Sequence, residues 1–247
     1  MPPDRPNLSV VIPAFNEADR LPMMLATMLA YLRGKNYVSE IIVVDDGSTD
    51  ETAALAARSG TPELPVHVLR NSFNAGKGFS IRRGVLSSRG LYVLFCDADG
   101  STGLEALELC WAAVRTGVQV VIGSRHLPTS RIIRYQPWMR RRMSALFRWL
   151  ANRILRSPVM DIMCGFKFFE AEAAKTIFSR VRLTRWAFDA EMLFIAQSLG
   201  MATSEVPVTW TDDARTRVRL SVDSWRAFAG LLRIRWNAST NRYHGDA

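Results

Sequence analysis

Short apolar runs rich in branched side chains alternate with stretches of helical spacing all the way from Leu8 to Ile122. The expected strands are Leu8–Ile12, Ile41–Val44, Val66–Leu69, Leu91–Cys96 and Val118–Ile122. Between the first two, Leu21, Leu25, Met28, Leu29 and Leu32 fall on one face of a helix over residues 20–33. Further helices are expected from Thr49 or Asp50, either of which can cap one, to about Ser59, over Lys77–Ser87, and over Leu104–Thr116. Parallel strands need a crossover, so strands separated by single helices imply right-handed βαβ units. The fold class is α/β: a Rossmann-like, mainly parallel sheet flanked by helices. Ligands of such sheets bind beyond the carboxyl ends of the strands.

Two acidic clusters sit at those ends. Asp45-Asp46-Gly47-Ser48 follows the run from Ile41, and Asp97-Ala98-Asp99-Gly100-Ser101 follows the run from Leu91. A carboxylate is poor core material. Asp97 and Asp99 alternate about Ala98, so an extended segment places both on one side, where they suit a Mg or Mn ion and, through it, a diphosphate. At the first cluster a carboxylate can accept from a nucleobase N–H, or Ser48 and Thr49 can simply build a capping turn. Pro13-Ala14-Phe15-Asn16-Glu17 forms a turn just past the first strand and carries a weaker signal, since Asn-Glu also starts helices. Asn74-Ala75-Gly76-Lys77-Gly78 precedes a helix; its glycines and Lys77 suit an anion at the helix start. The GxxxxGK[ST] spacing of a P-loop nucleotidase is absent.

Charge narrows the partners. The net charge is +9, and all but four of the 32 basic residues are arginine, the exceptions being Lys35, Lys77, Lys167 and Lys175. Guanidinium forks suit phosphate, whether on a substrate, a membrane or a nucleic acid; a general arginine bias would give the same surplus. The strand-end carboxylates would repel a nucleic acid, so no nucleic-acid partner is expected. Three widely spaced cysteines without a CxxC argue against disulfides and zinc. The polar, proline-bearing Met1–Asn7 is not a signal peptide, and no apolar run approaches the roughly 20 residues of a membrane span, so a soluble or surface-bound protein is expected.

The middle of the chain differs. From Leu109 to Met160 there is no acidic residue. Within it, Met139, Met143, Leu146, Leu150 and Ile154 repeat at helical spacing, with Arg141, Arg148 and Asn152 opposite and Trp138, Phe147 and Trp149 adding bulk. A basic amphipathic helix over about 138–156 can lie in a membrane interface, or pack its stripe on the domain and leave a solvated back. Beyond it a strand Gly165–Phe169, helices Ala171–Phe178 and Phe188–Leu199, a strand Glu205–Trp210 and a helix Ser221–Asn237 are expected. No linker interrupts the chain, so residues 1–247 read as a single domain, with its halves over 8–125 and 126–240.

In this order, Pro13–Glu17, Val44–Asp50, Gly76-Lys77-Gly78, Asp97–Thr102 and Gly123-Ser124-Arg125 resemble family 2 glycosyltransferases of the GT-A, nucleotide-diphospho-sugar transferase fold. Asp161–Phe169 and Arg185–Glu191 resemble the dolichyl-phosphate β-glucosyltransferase branch, akin to dolichyl-phosphate mannose synthase, over roughly Leu8 to Asn237. The resemblance implies an inverting transfer of a hexose from a nucleotide-diphospho-sugar to a polyprenyl phosphate at the cytoplasmic face of a membrane. The Arg185–Glu191 stretch tilts the donor towards UDP-glucose over GDP-mannose; a hydroxyl acceptor is the other alternative. It places Pro13, Phe15, Glu17, Asp46, Lys77, Asp97 and Ala98 at the donor, and Asp97, Asp99 and Ser101 at the metal. Arg125, Arg140 and Arg217 would face phosphates. Arg217 lies in Arg215-Thr216-Arg217-Val218, where relatives carry a Gly-Ser-Lys-like loop. Asp189 falls where hydroxyl-acceptor relatives place a base; it can equally be a buried carboxylate paired to Arg185 or another cation. A phosphate acceptor is already largely anionic at neutral pH, so it requires no protein base.

Overall fold

The computed structural model, which describes residues 5–135, 137–213 and 220–243, closes the alternating segments into a 7-stranded sheet. In chain order these are β1 (Leu8–Ala14), α1 (Leu21–Arg33), β2 (Ser39–Asp45), α2 (Thr52–Ala57), β3 (Val66–Arg70), α3 (Lys77–Ser87), β4 (Tyr92–Cys96), α4 (Ala106–Val114) and β5 (Val120–Ser124). Then come β6 (Arg131–Arg134), α5 (Trp138–Leu155), β7 (Phe166–Glu170), α6 (Ala171–Arg180), α7 (Phe188–Ser198), β8 (Thr203–Pro207), β9 (Thr209–Thr211) and α8 (Leu220–Ser239). The strand order is β3-β2-β1-β4-β7-β5-β8.

Alternation along the strands feeds two cores. Val10, Ile12, Val43 and Leu94 pack under α1 and α4; Val11, Ile42, Val44 and Phe95 pack with α3, α6 and α7 on the other face. Burial on both faces explains why these strands read as continuous apolar runs. All three cysteines are buried and free.

Three features depart from the sequence reading. β7 runs antiparallel to both β4 and β5. A fully buried run such as Phe166–Phe169 carries no mark of its direction. The strand expected over Glu205–Trp210 divides: β8 stays beside β5, while β9 leaves to pair with β6, an exposed Arg-Ile-Ile-Arg strand without a sequence signal. The third departure is α5. Leu150 and Ile154 of the expected stripe pack on the core, but together with Phe147, Ala151 and Leu155, whereas Met139 and Leu146 are exposed. The helix has more apolar surface than the fold covers, and Trp138 and Trp149 remain 65% and 62% exposed. Among the described residues, no helix is long and apolar enough to cross a membrane.

Candidate active site

The end of β4 is a loop held from both sides. Asp97 donates its N–H to Gly165 O at 3.1 Å, just before β7. Thr211 N–H donates to Ser101 O at 2.9 Å and Gly103 N–H to Thr209 O at 2.9 Å, tying the loop to β9. Ala98 is buried, and the half-buried Asp97 and Asp99 flank it. A Cβ on Gly165 would fall 2.0 Å from Asp97 Oδ2, so the glycine makes room for that carboxylate. Asp99 accepts the Ser101 N–H at 2.9 Å. Burial, and then the charge of Asp97, push Asp99 above the usual carboxylate range.

Lys77 Nζ stands 2.6 Å from Asp97 Oδ1 and 5.4 Å from the centre of the Trp186 ring. Burial works against its charge, but Asp97 and then Asp189 outweigh it, and its pKa is raised. The lysine expected to meet a ligand phosphate thus holds a carboxylate of the β4 loop. Arg20 approaches from the other side: Asp99 is among the charges that raise its pKa against burial. It also donates to both oxygens of the buried Glu17, Nε to Oε2 at 2.6 Å. Sequence reading missed Arg20, although an acid and an arginine spaced i, i+3 at a helix start are a signal for such a pair.

The donor chemistry of this centre fits a hard divalent cation. Two carboxylates flank Ala98, the charge of Asp97 adds to the cost of ionising Asp99, and both stand partly open to solvent. Among the described residues no group of three or more His, Cys, Asp or Glu is arranged for a metal, so Asp97 and Asp99 leave most positions for a ligand's oxygens and water.

The β2 end has a different role. Asp46 is 4% exposed, and its carboxylate accepts from Asn71 Nδ2 at 2.8 Å, Ala75 N at 2.9 Å and Gly76 N at 2.8 Å. The helix-start donors expected to hold a phosphate therefore hold Asp46. Asp45 accepts the Ser48 N–H at 3.1 Å, Ser48 Oγ accepts the Asn16 N–H at 2.8 Å, and Thr52 Oγ1 accepts the Glu17 N–H at 2.7 Å. Pro13, at the end of β1, and Phe15 are half-buried beside this network.

Two more expected residues are engaged within the protein. Arg125 forms a forked pair with Asp161, Nε to Oδ2 at 2.7 Å and Nη2 to Oδ1 at 2.8 Å, and its guanidinium lies 5.2 Å from the Trp210 ring centre. Burial alone would raise Asp161, but the hydrogen bonds and charge of Arg125 prevail and hold it down at about 2. Asp189 is 1% exposed and meets Lys167 Nζ at 2.6 Å; Lys167 also donates to Cys164 O at 2.6 Å. The partner of Asp189 is therefore Lys167, not Arg185. Burial, only partly countered by Lys167 and Lys77, leaves the Asp189 pKa raised. Arg217 and the side chain of Arg140 lie outside the described residues.

Residues 9–178 match the family model described as Glycosyl transferase family 2. Dolichyl-phosphate beta-glucosyltransferase of Dictyostelium discoideum is 34% identical over 247 residues, which cover 95% of this chain and 76% of that protein. The Homo sapiens dolichyl-phosphate beta-glucosyltransferase is 36% identical over 220 residues, covering 83% and 67%. Among solved structures, glucosyl-3-phosphoglycerate synthase from Mycobacterium tuberculosis, in complex with Mn2+, UDP and glucosyl-3-phosphoglycerate, aligns with a TM-score of 0.67 at 21% identity, covering 94% of this chain and 80% of that one. A likeness at that identity speaks for the fold, and the fold is GT-A.

Proposed function

The chain belongs to glycosyl transferase family 2, and from that premise we propose that it moves glucose from UDP-glucose to a polyprenyl phosphate of the dolichyl type, with inversion. The identity to dolichyl-phosphate beta-glucosyltransferases along most of the chain supports the substrate class. The observation that carries the chemistry is the state of Asp189. A carboxylate buried to 1% exposure with an ammonium at 2.6 Å is badly placed to take a proton from a hydroxyl acceptor. A phosphate acceptor removes the need, because its second pKa is about 6 and its oxygen is anionic at neutral pH.

The protein's part is then alignment and charge control. Asp97 and Asp99 would hold a Mg or Mn ion, which when bound neutralises the departing diphosphate. Lys77 orients Asp97, and Arg20 supports the charge of Asp99. Pro13, Phe15 and Glu17 border the nucleoside; Asp46 shapes that border by fixing the 74–76 loop. Arg140 and Arg217 receive the acceptor phosphate, and Arg125 serves them indirectly, by anchoring the 161–165 segment through Asp161. The exposed Trp138, Met139, Leu146 and Trp149 of α5, with Arg141 and Arg142 among them, rest on the cytoplasmic membrane surface where the acceptor is embedded.

The test is a donor screen. Radiolabelled UDP-glucose or GDP-mannose is supplied with dolichyl phosphate and Mn2+, and the organic phase is counted. Label extracted from UDP-glucose, alkali-stable and cation-dependent, is expected. Label that enters the lipid only from GDP-mannose, or stays in the aqueous phase, rejects the assignment.

A further inference from the structure

A basic concavity is lined by residues of α3, of the 181–184 segment and of α8. It encloses about 340 Å3, and its lining includes Phe79, Arg82, Arg182, Arg233, Asn237 and Arg242. A neighbouring hollow of about 260 Å3 shares Arg182 and Arg233 and adds Arg185. The larger volume falls within the roughly 300–1,000 Å3 of small-molecule sites.

Its electrostatics are one-sided. Among the described residues, no Asp or Glu lines either hollow. Arg82 Nε donates to Phe178 O at 2.9 Å, and Arg182 Nη2 to Arg242 O at 3.0 Å; both are held by carbonyls rather than by carboxylates. The side chains of Arg185, Arg233 and Arg242 have no hydrogen-bond or ion-pair partner among the described residues. Glu191 lies under this wall, but it is buried and engaged by the N–H groups of Arg182 and Leu183, at 2.9 and 2.7 Å, and by the Tyr243 hydroxyl at 2.6 Å. Converging like charges repel, and an anion offering several oxygens to forked donors relieves that repulsion.

The 181–184 wall of this cavity is firmly held. Phe79 donates its N–H to Thr184 O at 3.1 Å, and a Cβ on Gly76 would fall 2.4 Å from that same oxygen. On α8, Leu232 and Trp236, near Arg233 in the chain, are 53% and 64% exposed. We propose that this cavity binds a phosphomonoester, carried either by a membrane lipid or by a free metabolite. The proposal stands apart from the assignment of the transferase reaction.

The test compares the full chain with Arg233→Ala/Arg242→Ala, whose altered side chains hold nothing else in place. In one arm glycerol 3-phosphate is titrated calorimetrically. In the other, vesicles containing phosphatidic acid are compared with vesicles containing phosphatidylglycerol at matched surface charge. The expected result is at least tenfold weaker binding of the variant to glycerol 3-phosphate, or loss of its preference for phosphatidic acid, with an unchanged Tm. Loss in the first arm assigns a free ligand; loss confined to the second assigns a lipid headgroup. Equal binding of both proteins in both arms overturns the proposal. Arg242→Gln alone serves as a second variant should the double one not fold.

Discussion

The ends of β2 and β4 look alike in sequence, and the fold treats them in opposite ways. Each carries two carboxylates where a buried strand meets a Gly-Ser turn. At β2, Asp46 is buried and accepts hydrogen bonds from three donors of the neighbouring loop. At β4, Asp97 and Asp99 stand half-open, with Lys77 on one and a backbone N–H on the other. At the first end Asp46 is satisfied by the protein itself. The second keeps unmet coordinating capacity and an uncomfortable pair of charges, which is the condition for gripping a cation. Acidity at a strand end marks a place of interest; the count of internal partners tells scaffold from site.

That contrast can be broken most directly at Asp99. Asp99→Asn should lower turnover by about 10³-fold, the upper end for loss of one electrostatic group, and leave the thermal midpoint equal or slightly higher. The sign follows from its raised folded pKa, which makes its ionised form a cost to the native state at neutral pH. Turnover and calorimetry on one preparation check both; near-normal turnover would place the site elsewhere. Asp46→Ala should do the reverse. Removing a buried acceptor from three donors costs about 3 kcal/mol and roughly 10 °C in Tm, and the surviving folded fraction should still bind a divalent cation.

A smaller effect sharpens the place of Asp189. Lys167→Met should destabilise the protein, and in an Asp189→Asn background the same change should cost about 2 kcal/mol less, the coupling of a buried pair. Additive losses in denaturant titrations would mean that the two do not act together. The mildest test is pH. Asp161 is held at about 2 against an ordinary 3.8, so its pair with Arg125 contributes stability above the ordinary value that is lost as pH falls between the two. Transfer should fail far earlier, below about pH 6, where the acceptor phosphate takes up its second proton. Coincident acid profiles for unfolding and turnover would contradict that separation.

The alternating pattern made the parallel strands and their helices legible, and α3 begins and ends at the expected residues. The pairings were not legible. Nothing local to Lys167 says that it crosses to Asp189, because Phe166–Phe169 reads only as a buried strand and the ion pair exists once β7 lies against β4. Arg125 resembled a phosphate ligand until Asp161, 36 residues on, closed its fork. On α5 the period was visible, but the face that is covered depends on where α8 and the core lie.

The sequence by itself determined the class of fold, the strand ends at which chemistry would gather, and the family, because periodicity and short motifs are written locally. Only the tertiary structure decided which charges neutralise one another and which stay available. An ion pair between distant residues is a property of distance in space, and a one-dimensional string carries that distance only after the sheet has ordered its strands.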